Sequence, residues 1–424
     1  MLTHAHYESF TSLLREELIP AMGCTEPIAI ALAAAIAQKV LGEPFTKLRV
    51  GCSSSIIKNA KSAIIPVTDG LAGIDAAALA GAIGGAPEKG MEVLAFITDA
   101  QRQKIAEACR KNLCESYHLN SEHVLHIIIE IEGAQHRAKI EVQDAHDNIT
   151  FLSRDGEVLL SKSAESANDK AGGVDRSILT LESIWEYANT VDLEAIRPIL
   201  APQIEYNLAI AQEGLSGSYG LHYGAMLLRA SKTVYEKMEA YAAAASEARM
   251  SGCSMPVVIN SGSGNQGITS SVPCIVYCRE MGYSEERMLR MLAFANLTTI
   301  YQKRFIGKLS AFCGAISAAC ASGAALTYVE GGTLEQIGNT ISNTMAVTMG
   351  VICDGAKVSC GAKIATGLHV AIIAHKLALE NRAYRPGDGI VCEDADSTIR
   401  GVGRIAKNGM AATDNEIIAV MLDN

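Results

Sequence analysis

The sequence predicts a mixed α and β protein: a mainly α-helical domain interrupted by an inserted α/β (α+β) unit. Three observations carry this. From Ser183 onward apolar residues recur at helical spacing. Between Lys47 and about Leu160 the texture changes to short β-rich runs, several alternating apolar and polar. The first forty residues share the Ala-rich character of the second half. The expected organisation is N-terminal helices over 1–40 packing on the helical half, an inserted unit over 41–176, and a helical domain over 177–424.

With 424 residues, 49% of them hydrophobic, the chain can bury a large core. Aromatics are only 5%, which favours closely packed helices over a β-sandwich. A net charge of −10 argues against a nucleic-acid surface, and no basic run stands against that. Met1-Leu-Thr-His-Ala-His lacks a charged and then apolar leader, so the 12 cysteines are expected as thiols in a reducing, cytoplasmic setting. Residues 309–329 are uncharged and long enough to span a bilayer, but their Ala, Ser, Gly and Cys content transfers poorly into lipid. They read as a helix buried in protein, and no membrane is expected as a partner.

In chain order, Phe10, Leu13, Leu14 and Leu18 share a helical face that Pro20 ends. Met22-Gly-Cys-Thr-Glu-Pro27 opens a second, wholly apolar helix with Pro27 in its first turn. Cys24 then sits at a helix N-terminus, where the dipole favours thiolate; a reactive thiol and a core thiol both fit. Glu26 beside it is unusual in so apolar a setting. Strands are expected at Leu48–Cys52, Glu92–Ile97, His123–Glu132, Arg137–Val142 and Asn148–Leu152, with helices at Asp75–Ile83 and Asp99–Cys114. His123, His126, His136 and His146 lack a tight ligand spacing and read as surface or edge residues. Residues 161–176 read as an exposed loop. Helices follow near 183–190, 192–198, 203–213, 220–246, 284–302, 309–329, 333–349 and 361–380.

Three places carry chemistry. Cys353 and Cys360 lie seven positions apart around a Gly-containing turn, with Cys313 available from an apolar segment. Three thiolates there suit an iron–sulfur cluster with one open iron, whereas zinc would want a fourth ligand at short spacing. Spacing alone leaves open that these are buried core cysteines. The run Asn260-Ser-Gly-Ser-Gly-Asn-Gln-Gly267 is a formal G-x-G-x-x-G, but the parallel-sheet context of a dinucleotide fold is missing. It can serve as an anion cradle through backbone N–H groups and Ser261, Ser263 and Asn265, or as a tight turn without a ligand. His222 near the end of a Gly/Ser loop and Lys58 in a polar turn could reach the same substrate, although both read first as solvated.

Gly23-Cys-Thr-Glu-Pro-Ile, Gly214-Leu-Ser-Gly, Asn260-Ser-Gly-Ser-Gly-Asn-Gln-Gly-Ile, Leu309-Ser-Ala-Phe-Cys and Ile352-Cys-Asp-Gly-Ala-Lys-Val-Ser-Cys together resemble the L-cysteine desulfidase family, over nearly the whole chain. That family is similar to the α chain of iron–sulfur L-serine dehydratases. The resemblance implies a [4Fe-4S] cluster on Cys313, Cys353 and Cys360. It also implies pyridoxal-free elimination of L-cysteine to pyruvate, ammonia and sulfide, without pyridoxal phosphate. Gly355 stands where the dehydratase pattern has Pro, and the cysteine spacing is shorter. On this reading Cys24 is the base at Cα, with Glu26 the alternative base and fourth-ligand status the alternative role for Cys24; Cys274 and Cys278 are the rival ligand pair. Other readings are an L-serine dehydratase and a cluster-free binding protein. The partners expected are a small amino-acid substrate and a second copy of the chain in a homodimer.

Overall fold

The structure, a computed structural model, describes residues 2–162, 174–307 and 310–423. Helix α1 (His4–Glu17) starts at a Thr3 capping box and buries Phe10, Leu13 and Leu14. After strand β1 (Pro20–Met22), helix α2 (Thr25–Leu41) is apolar on nearly every face and is accordingly buried nearly all round. Strand β2 (Phe45–Cys52) leads into the short helix α3 (Ser54–Ala60), then α4 (Ile74–Gly84) and α5 (Asp99–Arg110). Strands β3 (Cys114–His118), β4 (His126–Gly133), β5 (Arg137–Gln143), β6 (Ile149–Arg154) and β7 (Glu157–Ser161) complete a six-stranded sheet of order β3-β2-β4-β5-β6-β7. Among the described strands only β2 and β3 run parallel, because the three helices between them form the crossover.

The expectation that both N-terminal helices pack on the helical half holds for α1 only. Helix α2 lies across β4 and β5 and against α4. The approach to α4 is so close that a Cβ on Gly81 would stand 2.0 Å from the Ala31 carbonyl oxygen. Two local expectations also fail. Residues 92–97 form a 3-10 turn and its continuation rather than a strand, since Pro87 starts the turn and Gly90 (φ +55°) kinks it. The helix expected to reach Cys114 stops at Arg110, where Asn112 (φ +52°) reverses the chain into β3. The loop expected over 161–176 lies mostly outside the described residues.

The helical half comprises α6 (Leu181–Thr190), α7 (Leu193–Ser216), α8 (Tyr223–Ala230), α9 (Val234–Met250), strand β8 (Pro256–Val258), α10 (Gly264–Glu280), α11 (Glu285–Ile306), α12 (Gly314–Val329), α13 (Leu334–Thr348), α14 (Cys360–Leu379), α15 (Ala395–Arg404) and α16 (Ala411–Asp423). The two helices expected over 192–213 are one, running through Pro198 and Pro202 because Ile196, Leu200 and Gln203 are buried on its inner face. The single helix expected over 220–246 is two, divided where Thr233 and Glu236 form a capping box. Strand β1 pairs antiparallel with β8, Pro20 facing Val258 and Met22 facing Pro256, which ties the N-terminus to the helical half. Helix α14 alone among the described residues is long and apolar enough to cross a bilayer; it packs against α9, α12 and α13.

Candidate active site

Four helix N-termini meet in one region. Cys24 is the N-cap of α2, Ser263 of α10 and Cys313 of α12, while Cys360 is the first residue of α14. The segments before α12 and α14 lie side by side: the Cys313 N–H donates to the Val351 carbonyl at 3.1 Å and the Cys353 N–H to that of Ala311 at 2.6 Å. Cys24 and Cys360 share one small apolar cluster with Ala63, Met250 and Ala356. The side chain of Gln266 abuts Gly314, so the starts of α10 and α12 also touch. Each terminus directs its partial positive charge inward, a setting suited to anions.

The thiols are all reduced. Burial pushes Cys313 up to about 12, helped by Cys353 and Cys360 as neighbours, and burial likewise raises Cys360. The turn between Cys353 and Cys360 is clasped by Asp354, which pairs with Lys357 at 2.9 Å and with Lys363; Lys363 also donates to the Ile352 carbonyl at 2.9 Å. Lys303, at the end of α11, is buried, and that burial brings it down to about 8 despite the cysteines nearby.

Beside the thiols stands a carboxylate–thiol pair. The Cys24 thiol donates to Glu26 Oε2 at 3.2 Å, and Thr25 Oγ1 donates to the same oxygen at 3.0 Å. Asn59 Nδ2 donates to Oε1 at 3.1 Å, and His146 Nε2 lies 3.8 Å from it. Burial opposes the charge on Glu26, but His146 and the Cys24 thiol overcome it and hold the carboxyl at about 2. Cys24 moves the opposite way: burial first, then the Glu26 charge, raise it well above the ordinary thiol range. The helix dipole, which by itself favours thiolate, does not prevail at Cys24. With Glu26 ionised beside it, the proton stays on sulfur, because one helix dipole is outweighed by burial plus a full negative charge.

The Gly-rich loop is built as an N-cap. Asn260 and Ser263 exchange backbone hydrogen bonds, the buried Asn260 side chain is anchored on Asn296, and Ser263 Oγ accepts from Gln266 N–H. Ser261 (φ +50°) donates to Asn260 Oδ1. Asn265 Oδ1 accepts from Ser246 Oγ and from Arg249 Nη1, both at 3.1 Å. Ser261 and Ser263 thus serve the loop itself, whereas Asn265 keeps its NH2 donors and helix geometry leaves the first N–H groups of α10 without intrahelical acceptors. Gly264 lets the Arg249 side chain lie against the start of α10: a Cβ there would stand 2.3 Å from Arg249 Nε.

The other candidates divide. Lys58 is not solvated; it is buried on α3 and paired with Asp414 of α16, so its charge is met within the fold. His222 (φ +55°) is exposed on the loop before α8, which Glu247 holds by accepting from Leu221, Tyr223 and Gly224 N–H groups. It hydrogen-bonds none of the site's side chains. Cys274 and Cys278 are core residues inside α10. His126 is buried, held by Ser121 and Gln143, and His146 belongs to the site; neither is the surface residue expected. Arg249, Lys303 and His146 were missed. Arg249 had a signal, a charge within an Ala-rich helix; His146 had none, because a turn between strands gives no hint of what it faces.

Among the described residues no three Cys, His, Asp or Glu side chains stand close enough to hold a single metal ion. A four-iron cluster makes a different demand, since each thiolate takes its own iron. Three reduced thiols on facing segments, with Lys303 and Lys363 as cationic neighbours, fit that donor set. Arg249 Nε, Gln266 Oε1 and His146 Nε2 are buried without hydrogen-bond partners, the pattern of a pocket that completes its bonds with a ligand. A separate cleft of about 430 Å³ lies by β2 and β3, lined by Lys47, Asp75, Asn112 and Cys114, and holds none of these residues.

A helical half with cysteines at its helix starts, joined to a carboxylate–thiol pair beneath an inserted sheet, defines the class of protein. The sequence profile of the serine dehydratase alpha chain matches residues 88–419, and the chain belongs to that family. It is also similar over its length to proteins named UPF0597. It is 46% identical to one from Lachnoclostridium phytofermentans, over 98% of this chain and 100% of the relative. It is 43% identical to one from Treponema denticola, over 99% of each, and 42% identical to one from Desulfitobacterium hafniense, over 99% of this chain and 97% of the relative.

Proposed function

We propose that the protein is a pyridoxal-free lyase that eliminates the β-substituent of L-cysteine, giving pyruvate, ammonia and sulfide, with a [4Fe-4S] cluster on Cys313, Cys353 and Cys360. The observation that carries the reading is the meeting of these three thiols with the Cys24–Glu26 pair. Bound there, the cluster would supply an open iron, a Lewis acid toward the β-sulfur of the substrate.

The chain's own residues do the rest. Asn265, Arg249 and the start of α10 orient the substrate carboxylate, a site for one negative charge in a buried setting. Cys24 sulfur takes the Cα proton as its own proton passes to Glu26 Oε2, 3.2 Å away. The Cα–H electron pair becomes the Cα–Cβ double bond and the Cβ–S bond breaks, releasing hydrosulfide. The aminoacrylate left behind tautomerises and reacts with one water to give pyruvate and ammonium. Burial of the pair keeps water from competing before the bond to sulfur is broken.

The test is turnover of L-cysteine and L-serine by anaerobically purified, iron- and sulfide-reconstituted protein. Pyruvate and sulfide formed in equal amounts, faster from L-cysteine, is the expected result. The family's description favours the second reading, and faster pyruvate from L-serine would make the protein a serine dehydratase. No pyruvate from either at full iron content removes the lyase reading.

A further inference from the structure

His146 is carried by the turn between β5 and β6, in the inserted sheet, yet it points at the site of the helical half. Its Nε2 lies 3.8 Å from Glu26 Oε1, while a Cβ on Gly262 would lie 3.4 Å from its Cε1. It therefore sits between the Glu26 carboxylate and the Gly-rich loop. Nε2 is buried and has no hydrogen-bond partner. Glu26 Oε1 already accepts from Asn59 and has a second lone pair, so closing the gap gives the buried imidazole nitrogen its missing partner.

We propose that His146 is a positioning residue for proton removal: it holds Glu26 as an oriented carboxylate, so that Oε2 faces the Cys24 thiol. This rests on the proposed lyase function. Each Glu26 oxygen has its own work. Oε1 faces His146 and Asn59, and Oε2 faces Cys24 and Thr25. A carboxylate anchored at one oxygen accepts a proton at the other without rotating, and preorganisation of this kind lowers the cost of transfer at the moment of reaction. The inserted unit would then complete the site rather than merely cover it. The charged and titratable groups that act on the pair are Cys24 at the start of α2 and Arg249 on α9; in the turn of His146 itself, Asp144 is paired with His123 at 3.2 Å and Asp147 is the other charged residue.

The experiment uses the full-length reconstituted protein with His146→Gln and His146→Leu. With L-cysteine, kcat is expected to fall at least tenfold in His146→Leu with KM within threefold and iron content unchanged. His146→Gln, which keeps an N–H donor, should recover part of the loss, and the isotope effect on kcat with Cα-deuterated L-cysteine should increase in His146→Leu. A purely structural role would instead lower iron content or raise KM in both variants alike, and that result, or unchanged kcat, overturns the proposal. An independent arm needs no turnover: infrared pH-difference spectra, subtracted against Glu26→Gln, isolate the Glu26 carboxyl band. Its titration should move to higher pH in His146→Leu. If the wild-type protein turns over neither amino acid, the lyase reading has failed, and an unmoved Glu26 band separately overturns the pairing with His146.

Discussion

Gly355 lies directly against the carbonyl oxygen of Lys58: a Cβ at position 355 would stand 2.2 Å from that oxygen, and the backbone there has φ +97°. This contact seats the turn between Cys353 and Cys360 on α3. It also explains the departure from the Cys-Asp-Pro pattern of the dehydratases, because the proline ring fixes φ near −65°. Gly355→Ala should lower stability by about 3 kcal/mol through strain and displacement. Thermal unfolding measures that cost, and the iron bound after reconstitution should fall in the same variant. Wild-type stability and iron together would show that the turn yields freely.

The ligand assignment separates cleanly from its rival. Cys353→Ala, Cys313→Ala and Cys360→Ala are each expected to lose most bound iron and acid-labile sulfide. Cys274→Ala should keep both, because Cys274 is buried inside α10 with its sulfur 3.5 Å from the Ser270 carbonyl. The reverse pattern would move the cluster to the other pair.

Cys24→Ala should abolish turnover while iron content and cluster absorbance stay at wild-type levels. Among the described residues Glu26 is the one side-chain hydrogen-bond partner of this thiol, so on the proposed mechanism its loss removes the base without unseating the three proposed ligands. Loss of iron in this variant would make Cys24 a fourth ligand.

Glu26 gives a pH dependence with a defined sign. Its carboxyl has an ordinary value of 4.5 and is held at about 2 in the fold. A depressed carboxyl contributes stability that is fully present above the ordinary value and is lost as pH falls through the folded one. Wild-type protein should therefore lose stability between pH 4.5 and 2 relative to Glu26→Gln, in which that titration is absent. Chemical denaturation at stepped pH reads this directly; parallel acid limbs would mean that the fold does not depress the Glu26 carboxyl, and a wild type that gains stability on acidification would mean that the carboxyl is protonated in the fold.

Sequence alone determined the elements whose pattern is local. The apolar run after Pro27 reads as a buried helix, the β-branched run at Ile127–Ile131 and the alternation at Ala138–Val142 read as strands, and Cys353 and Cys360 offer a candidate site by flanking a turn. The tertiary structure decided what no local pattern encodes. It placed α2 on the sheet rather than on the helical half, since a helix apolar all round fits either surface. It brought Cys24 together with Ser263, Cys313 and Cys360, three helix starts that lie more than two hundred residues further along the chain. It also set burial and the Glu26 charge against the dipole at Cys24, and it buried Lys58 against Asp414. Those outcomes depend on desolvation and on which charges become neighbours, and both are fixed only when distant segments pack.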